Sequence, residues 1–392
     1  MTNDKHQDQA RSLAGLSVAV LGGGVGGLAS ALAFARRGAS VRVFEQAAEL
    51  REVGAGLQIT PNGAAVLRAL GLSDAADHRS IQAAAVMPMD ALTGRAVTRF
   101  DLGQLGGEPY RFFHRADLLD LLAEGCAEAG VEIVLDAKAV EVTQSGVVGF
   151  ENGQTIEADL VVGADGLHSV TRKRLNGEDA PFFTGQVAWR SVVKVKDEDP
   201  IARIWMAPHR HVVTYPLIGG RLNVVAVQER KEWAAEGWNF FDEPHALQAA
   251  FADCSAALRS VLSEVQTVRL WGLFRHPVAE VWHSGKVALV GDAAHPTLPF
   301  LAQGANLAFE DAYVLARAVA ENGVEAGLGL YQAKRRARVI RAIEAANANA
   351  TNYHLSGVKR FVAHKGLKTL GLVAPRAFLD RMDWLYGHDV TA

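Results

Sequence analysis

The first part of the chain alternates between short apolar runs and a helical pattern, which predicts a parallel α/β fold. Ser17–Leu21 is a β-branched and aliphatic run of the kind that forms a buried parallel strand. Residues 26–37 follow a helical pattern, and Gly38 is expected to end that helix as its C-cap. Residues 41–45 predict a second strand, so this region forms one βαβ unit.

Two further core strands are predicted at residues 156–163 and 286–290, each running into a turn that contains Gly and Asp. A long helical pattern follows the second strand, from about residue 304 to residue 321. We expect these elements to extend the parallel sheet and to pack a helix against it.

Between about residues 186 and 270 the pattern changes to alternating strands, such as residues 212–215 and 222–227. This alternating pattern predicts an antiparallel sheet that is inserted into the α/β fold. The last fifty residues predict helices. We therefore predict a discontinuous α/β domain over residues 1–75, 100–185 and 271–345, a β-sheet domain over residues 76–99 and 186–270, and a C-terminal helical segment over residues 346–392.

Composition and charge narrow the class of protein. The 392 residues are enough for two domains, or for one large domain with an insertion. Hydrophobic residues make up 49% and charged residues 21%, which is typical of a soluble globular protein. Lys and Arg number 40 and Asp and Glu 43, so no basic excess exists to neutralise nucleic acid or an anionic membrane. We expect neither as a partner.

Cys126 and Cys254 lie in unrelated stretches without CxxC or Cys/His spacing, which predicts neither a disulfide framework nor a bound metal. The first fourteen residues are polar and lack the apolar core of a signal peptide. The apolar run over residues 17–35 is long enough for a membrane span, but its glycines favour a strand, a turn and a helix. We expect a cytoplasmic protein.

The glycine motif after the first strand predicts a site for a dinucleotide pyrophosphate. It has the GxGxxG spacing, in which Gly22 allows the tight turn, Gly24 lets the pyrophosphate approach the backbone, and Gly27 lets helix and strand pack closely. The helix N-terminus offers unpaired N–H groups to the anion. Glu45 follows at the end of the second strand, where it is expected to accept hydrogen bonds from a ribose diol. The alternative is a plain glycine turn with a surface Glu.

Three later motifs separate FAD from NAD. They are Val-Val-Gly-Ala-Asp165-Gly166 with the residues after it, Val-Gly-Asp292-Ala-Ala-His295-Pro, and Leu-Pro299-Phe-Leu-Ala-Gln303-Gly-Ala-Asn with the Glu-Asp-Ala that follows. Together they resemble the single-component FAD-dependent aromatic hydroxylases, the group of salicylate hydroxylase, 3-hydroxybenzoate 6-hydroxylase and para-hydroxybenzoate hydroxylase. The likeness covers essentially the whole chain.

The resemblance implies an α/β, Rossmann-like FAD-binding domain of the glutathione-reductase type, with FAD as cofactor and NADH or NADPH as transient co-substrate. Asp292 would hold the ribityl chain, and Arg115 would lie beside the cofactor, although a surface salt bridge is its alternative. The Asp165-Gly166 turn would serve the pyrophosphate and the passing nicotinamide nucleotide. Arg51 matches the segment along the flavin edge. The expected cofactor residues are Gly22, Gly24, Gly26, Gly27, Glu45, Gln46, Arg51, Gly56, Leu57, Arg115, Asp165, Gly166, Gly291, Asp292, Pro299, Gly304, Ala305 and Asn306.

The reaction implied by the resemblance is reduction of FAD by NADH or NADPH, and then reaction with O2 to give a flavin hydroperoxide that hydroxylates an aromatic ring. The substrate implied is a phenolic aromatic acid similar to salicylate or 3-hydroxybenzoate. A phenol is electron-rich when ionised, so a base or acceptor near its hydroxyl is required. Only one dinucleotide motif is present, which fits a reductant that binds briefly.

His211 and Tyr215 lie four residues apart in a predicted strand, which places them on one face about 13 Å apart between Cα atoms. In the salicylate, 3-hydroxybenzoate and 6-hydroxynicotinate hydroxylases a His and a Tyr at matching positions line the substrate pocket. We therefore expect His211 to deprotonate the phenol and Tyr215 to orient the ring or the carboxylate. The alternative for His211 is an exposed histidine. His295 is the competing base, and Gln303 is expected to bind the hydroxyl or the carboxylate of the ligand.

Other functions remain open at this point. The same scaffold serves heteroaromatic substrates such as 6-hydroxynicotinate and urate, although Gln58 replaces the histidine that the 6-hydroxynicotinate enzymes carry. A non-hydroxylating FAD oxidase or FAD-binding protein is the alternative of a different class. The protein is expected to be a monomer or a homodimer.

Overall fold

The computed structural model describes residues 13–50, 55–178, 180–196, 199–231 and 240–392. The strands, numbered in chain order, are β1 Ser17–Leu21, β2 Ser40–Phe44, β3 Gly56–Ile59, β4 Ser80–Gln82, β5 Ala85–Asp90, β6 Phe100–Asp101, β7 Arg111–His114, β8 Glu132–Val134, β9 Ala139–Val142, β10 Val147–Phe150, β11 Thr155–Glu157, β12 Leu160–Gly163, β13 Phe182–Lys194, β14 Ile201–Ala207, β15 Arg210–Leu217, β16 Arg221–Glu229, β17 Phe240–Asp242, β18 Val268–Arg275, β19 His283–Ser284 and β20 Val287–Leu289.

The helices of the described residues are α1 Val25–Ala35, α2 Pro61–Ala69, α3 Ser73–Arg79, α4 Arg115–Glu128, α5 Val170–Asn176, α6 Pro244–Ala250, α7 Ala256–Ser263, α8 Gly304–Tyr353, α9 Gly357–Val373 and α10 Ala377–Tyr386. Short 3₁₀ turns occupy Leu102–Gln104 and Gly291–Ala293.

A six-stranded sheet with the order β19-β20-β12-β1-β2-β8 is parallel apart from the edge strand β19. Its inner strands are apolar on both faces, as the continuous run in β1 predicted, because α1 and α8 cover one face and the small sheet of β9, β10 and β11 covers the other. The mixed α/β fold predicted from the sequence is confirmed.

The single strand predicted over residues 156–163 is wrong, because that segment divides between two sheets. β11 belongs to a small sheet with β10 and β9, whereas β12 joins the parallel sheet. Asp159 lies between them, and its carboxylate accepts hydrogen bonds from the Ser17 N–H and hydroxyl at 2.9 and 2.7 Å. This polar contact fixes where the chain leaves one sheet and enters the other.

The second large sheet has eight strands in the order β17-β18-β13-β16-β15-β14-β5-β6, mostly antiparallel. The pairing of β14 with β5 is its parallel contact. The domain boundary that we placed at residue 100 falls on β6, which pairs with β5 in this sheet.

One face of the eight-stranded sheet packs on α6 and α7. Side chains such as Val212, Val224 and Trp189 form a buried cluster there with Phe251 and Leu258. Burying each such side chain stabilises the fold by about 1.5–3 kcal/mol. Because strand residues alternate between faces, the intervening positions point toward the nucleotide-binding part of the chain.

The helix predicted at residues 304–321 is the first part of α8, which continues past a kink. At Gly323 the backbone takes φ 77° and ψ 172°, a left-handed conformation that glycine tolerates without steric cost. The predicted helical C-terminus is confirmed, since α8, α9 and α10 account for most of it.

Both cysteines are buried thiols outside any disulfide. Burial raises the pKa of Cys126 to about 12 and also raises that of Cys254. Within the described part of the chain, none of the helices is both long and apolar enough to cross a membrane.

Candidate active site

A cavity of about 610 Å³ is lined by residues of both large sheets, a volume in the range of ligand sites. One part is lined by the carboxyl ends of parallel strands and the turns after them. We call it the nucleotide end, and it includes Gly22, Gly24, Glu45, Gln46, Asp165, Gly166, Gly291 and Asp292. The other part is the sheet end, lined by Arg190, His211, Val213, Tyr215, Val225 and Val227.

The glycine turn between β1 and α1 has the backbone geometry that the motif predicted. Gly22 has φ +102°, and a Cβ there would overlap the carbonyl of Ala164. A Cβ on Gly27 would overlap the carbonyl oxygen of Gly22. Gly24 and Gly26 line the cavity where α1 begins, with no side chain capping the helix. Unpaired N–H groups therefore face the cavity, as an anionic pyrophosphate requires.

Glu45 is fixed at the cavity wall by two backbone groups. Its carboxylate oxygens accept hydrogen bonds from the N–H of Gly23 at 2.6 Å and of Ala47 at 2.9 Å. Each carboxylate oxygen has a second lone pair, so hydroxyl groups of a sugar can still bind.

The Asp165 carboxylate is largely engaged within the protein. It accepts hydrogen bonds from the Ser169 hydroxyl at 2.5 Å and from the N–H and hydroxyl of Thr171 at 3.1 and 3.0 Å, at the start of α5. Burial raises the pKa of Asp165, and these hydrogen bonds act in the opposite direction. Gly166 has φ +72° with open space around its Cα, so the turn offers backbone to the cavity.

Asp292 and Arg115 place opposite charges on the cavity wall. The Asp292 side chain is open to the cavity at the 3₁₀ turn Gly291–Ala293. Burial raises its pKa, while the positive charges of His295 and Arg115 oppose that rise. Burial, and then the charge of Arg190, lowers the pKa of Arg115 to about 10. Arg115 thus lines the cavity.

The N-terminus of α8 also reaches the cavity, through Gln303, Gly304 and Ala305. The amide of Gln303 is already used within the protein, since Nε2 donates to the Thr60 hydroxyl at 3.1 Å and Oε1 accepts from Asn62 at 3.2 Å. A ligand contact by Gln303 would compete with these bonds.

Asn306 is tied to β3 and its continuation rather than to the cavity. Its amide accepts from the Thr60 N–H at 2.9 Å and donates to the Gln58 carbonyl at 3.0 Å. Among the described residues that line the cavity, Asn306 and Gly27 do not occur. Both contact residues next to the cavity and so act on its shape indirectly.

His295 belongs to a buried ion network under the cavity. Its Nε2 donates to Asp311 at 2.5 Å, and the same carboxylate accepts from the Gly291 N–H at 3.1 Å. Arg335 binds both Asp311, at 2.8 Å, and Glu310. These bonds attach α8 to the turn that carries Asp292. His295 is fully buried and is not among the described lining residues, so this geometry does not bring it to a ligand.

His211 and Tyr215 face the cavity from β15, which confirms that they share a face. Across the sheet, His211 pairs with Val227, and Val225 pairs with both Val213 and Arg190. His211 is only 2% exposed, so its alternative as an exposed histidine is wrong.

The His211 imidazole is held in a neutral form. Its Nδ1 lies 2.7 Å from Nε2 of His354, and the rings of Tyr353 and Phe300 lie 5.1 and 6.0 Å away. Burial, and secondly the charge of His354, lowers the pKa of His211 well below its usual range. Since Nδ1 is occupied, Nε2 is the atom that can accept a proton from a ligand.

Tyr215 is packed between aromatic and polar neighbours. Its ring lies 5.0 Å from that of Phe112, and a Cβ on Gly56 would lie 2.6 Å from the Tyr215 ring. Burial raises the pKa of Tyr215, so the phenol stays protonated and can donate a hydrogen bond.

Arg190 was not predicted from the sequence. Its guanidinium lies 4.8 Å from the centre of the Trp271 ring, and its Nε is buried without a hydrogen-bond partner. Among the described residues, no Asp or Glu forms an ion pair with it, and burial lowers its pKa. The available signal was an arginine at an inward position of an alternating strand. Arg51 lies outside the described residues.

Comparisons with known proteins identify the family of this chain. Residues 15–346 match the protein family described as FAD binding domain. The chain is 37% identical over 395 residues to a 3-hydroxybenzoate 6-hydroxylase of Polaromonas naphthalenivorans, covering 96% of this chain and 97% of that protein. It is 34% identical over 386 residues to a 3-amino-4-hydroxybenzoate 2-monooxygenase of Streptomyces platensis, covering 95% and 96%.

Among solved structures, a salicylate hydroxylase in complex with substrate matches with a TM-score of 0.78 and 25% identity, over 96% of each chain. The chain belongs to this FAD-binding family and is a flavoprotein monooxygenase with FAD as its cofactor.

Proposed function

We propose that this flavoprotein hydroxylates the ring of a phenolic aromatic acid, similar to 3-hydroxybenzoate or salicylate, with NADH or NADPH and O2. The observation that carries the proposal is the sheet end of the cavity, where a neutral buried imidazole and an unpaired guanidinium share one wall. They match the two polar groups of such an acid, the phenol and the carboxylate. The activities of the relatives named above support the same substrate class.

The nucleotide end fits FAD. Backbone N–H groups of the glycine turn suit the pyrophosphate, Glu45 suits a ribose, and Asp292 opens onto the cavity with a free carboxylate. These residues would hold FAD, which would supply hydride acceptance from the nicotinamide nucleotide and activation of O2. The N-terminus of α8 contributes a positive dipole end to the same wall.

His211 acts as the base for the phenol. A free phenol has a pKa of about 10, so it is mostly protonated at neutral pH and its ring is a weak nucleophile. Because His211 is neutral at pH 7, its Nε2 can accept the phenol proton and raise the electron density of the ring. Tyr215, which stays protonated, donates a hydrogen bond that orients the ligand.

Arg190 binds the carboxylate. The positive charge of Arg190 contributes to the lowered pKa of Arg115, and an anion bound to Arg190 would offset that repulsion. The side chains of Val213, Val225 and Val227 supply an apolar surface for the ring. The sheet end thus selects a ligand that is apolar in the middle and polar at two positions.

The test measures NADH and NADPH oxidation by the FAD-loaded protein against 3-hydroxybenzoate, salicylate, 3-amino-4-hydroxybenzoate, 6-hydroxynicotinate and urate, with products identified by mass. We expect one of the benzoates to give a product heavier by one oxygen atom. Hydroxylation of urate or 6-hydroxynicotinate alone would move the substrate class to heteroaromatics. Peroxide release without any hydroxylated product from the panel would contradict the proposal.

One variant, assayed with a matched pair of ligands, tests the carboxylate contact. Arg190→Gln removes a charge-assisted hydrogen bond worth about 1.5–3 kcal/mol, so KM for the acid should rise roughly tenfold to over a hundredfold. The corresponding phenol without a carboxylate should lose nothing. Equal effects on both ligands would show that Arg190 does not bind the carboxylate.

We place the enzyme in the cytoplasm as a monomer or a homodimer, where its two free thiols stay reduced.

A further inference from the structure

A chain of hydrogen-bonded side chains connects His211 to the protein surface. His211 Nδ1 lies 2.7 Å from His354 Nε2, and His354 Nδ1 lies 2.9 Å from Glu229 Oε1. Glu229 Oε2 lies 2.7 Å from His209 Nδ1. Exposure rises along the chain, from 2% for His211 and 3% for the His354 side chain to 40% for Glu229 and 65% for His209. The line therefore begins in the cavity and ends in solvent.

The protonation of each imidazole follows from the carboxylate. Glu229 is ionised, because its hydrogen bonds with His209 and His354 outweigh the effect of burial and lower its pKa. An ionised carboxylate only accepts, so His354 donates from Nδ1–H and presents a lone pair at Nε2. His211 then donates from Nδ1–H to that lone pair. The Nε2 lone pair of His211 is left for a ligand, as a base requires.

Backbone bonds hold the chain in register. The N–H of His209 donates to the His354 carbonyl at 3.1 Å, and the N–H of Glu229 donates to the His209 carbonyl at 3.0 Å. His209 takes φ +61° in the turn between β14 and β15, which brings its ring to Glu229. His354 directly follows α8, so the C-terminal region supplies the middle member.

We propose that His354 and Glu229 form a relay that carries the phenol proton of the substrate from His211 to solvent. The inference rests on the proposed function, because it takes His211 as the base. Neither residue touches the substrate, so both act through His211.

The relay conserves protons at every step. The phenol O–H bond breaks and its proton joins His211 Nε2, while the Nδ1 proton of His211 moves to His354 Nε2. The Nδ1 proton of His354 moves to Glu229, which releases a proton to water. When the product oxygen is protonated again, the steps run in reverse and both imidazoles return to their starting tautomers. No oxidant or reductant takes part.

The titratable groups that act on the relay are its own members. Among the described residues, His354 acts on His211, and Glu229 and His209 act on His354. The rings of Tyr353 and Phe300 pack against His211, and Tyr353 stays protonated because burial raises its pKa to about 12.

The experiment follows proton release with a pH-indicator dye after rapid mixing of the oxidised FAD enzyme with 3-hydroxybenzoate, in the absence of NADH. The probe control is 3-methoxybenzoate, which has no phenol proton. We expect the wild type to release a proton rapidly with the first acid and none with the second. His354→Asn and Glu229→Gln should slow this release about 10–100-fold, the range for removing a group that orients a histidine. Added imidazole should restore the rate of His354→Asn.

His245→Asn is the matched control and should release the proton at the wild-type rate, because His245 is exposed on α6 and takes part in no step of the relay. FAD content and affinity for the acid show whether each variant is folded. If His354→Asn does not fold, Glu229→Gln alone tests the relay. Wild-type release rates in both relay variants, with release lost in His211→Asn, would overturn the relay alone. Absence of release from the wild type, or unchanged release in His211→Asn, would overturn the base assignment and the relay with it.

Discussion

The two ends of the cavity bind in different ways. The nucleotide end is built largely from main chain, namely the turn at Gly22, the N-terminus of α1 and the turn at Gly166. The sheet end is built from long side chains, chiefly Arg190, His211 and Tyr215, that project from one face of an antiparallel sheet. The nucleotide end admits a ligand close to its backbone, whereas the sheet end provides charged and proton-accepting side chains at defined positions.

This difference predicts how each end fails when it is changed. At the nucleotide end an added side chain overlaps main-chain atoms, and the fold itself has to move. At the sheet end a removed functional group leaves a space but little strain, so the chemistry fails while the fold remains. Substitutions at the two ends should separate cofactor retention from turnover.

The largest effect is expected from Gly27→Ala. The new Cβ overlaps the carbonyl oxygen of Gly22, and main chain cannot swing aside as a flexible side chain can. The cost should exceed the roughly 1–3 kcal/mol of ordinary overpacking, and the purified protein should lose its yellow colour. Gly329→Ala on α8 is the control, since its new Cβ would meet only His283 Nε2 at 4.0 Å. A Gly27→Ala protein with normal FAD content would show that the turn tolerates a side chain.

The next effect is expected from His211→Asn. Ring hydroxylation should fall by about 10²–10⁴, the usual contribution of a general base. FAD content should be unchanged, and oxygen that no longer reaches the ring should appear as hydrogen peroxide in a coupled peroxidase assay. If NADH oxidation in this variant stays coupled to product formation as in the wild type, His211 is not the general base.

A smaller effect is expected from Asp292→Asn, at the opposite end. The Asn amide replaces a charge-assisted hydrogen bond to a sugar hydroxyl by a neutral one, a difference of about 1–1.5 kcal/mol, which should weaken FAD binding roughly tenfold in a fluorescence titration. Turnover at saturating FAD should change little. Asp253→Asn is the control, because Asp253 pairs with Arg210 at the surface. Equal loss of FAD from both variants would place Asp292 outside the cofactor contacts.

The smallest effect is expected from pH. Burial lowers the pKa of His211 well below 6.5, so the base stays neutral as pH falls from 7.5 to 6.5. The kcat/KM for hydroxylation should change by less than about twofold, whereas a solvent-exposed imidazole would lose about half its neutral form there. If kcat/KM falls to half near pH 6.5 in the wild type, His211 titrates there as an exposed imidazole would, and the prediction is wrong.

The stability of the folded protein, unlike kcat/KM, should change clearly with pH. The folded-state pKa of His211 and of His354 is depressed, so below about pH 6.5 the unfolded chain binds more protons than the folded one. The free energy of unfolding, measured by urea titration, should therefore fall between pH 7 and pH 5.5. Carboxylates do not explain a loss in that window. Those with a depressed pKa act at lower pH, and the raised pKa of Asp165 and Asp292 makes stability rise, not fall, as pH decreases.

Sequence reasoning reached the nucleotide end because its constraints are local. Gly22 needs a positive φ in the turn, Gly27 lies against the carbonyl oxygen of Gly22, and six consecutive residues carry the signal. The face shared by His211 and Tyr215 was likewise predictable, because it follows from strand alternation alone.

The rest depends on contacts between distant parts of the chain. His211 and His354 are 143 residues apart, and their meeting depends on the length of α8 and its kink at Gly323. Arg190 reaches the cavity through the register of β13 with β16, which the sequence does not encode locally. Asp165 and Gln303 were expected to serve ligands, yet their polar groups are mostly engaged within the protein.

The two buried thiols bear on how long such an enzyme survives its own side reaction. Hydrogen peroxide attacks the thiolate form of cysteine, and burial raises the pKa of both Cys126 and Cys254 so that each stays protonated. Peroxide that escapes from an uncoupled turnover therefore meets no reactive thiol at either position. The purified protein should tolerate storage in air and repeated assay without an added reducing agent.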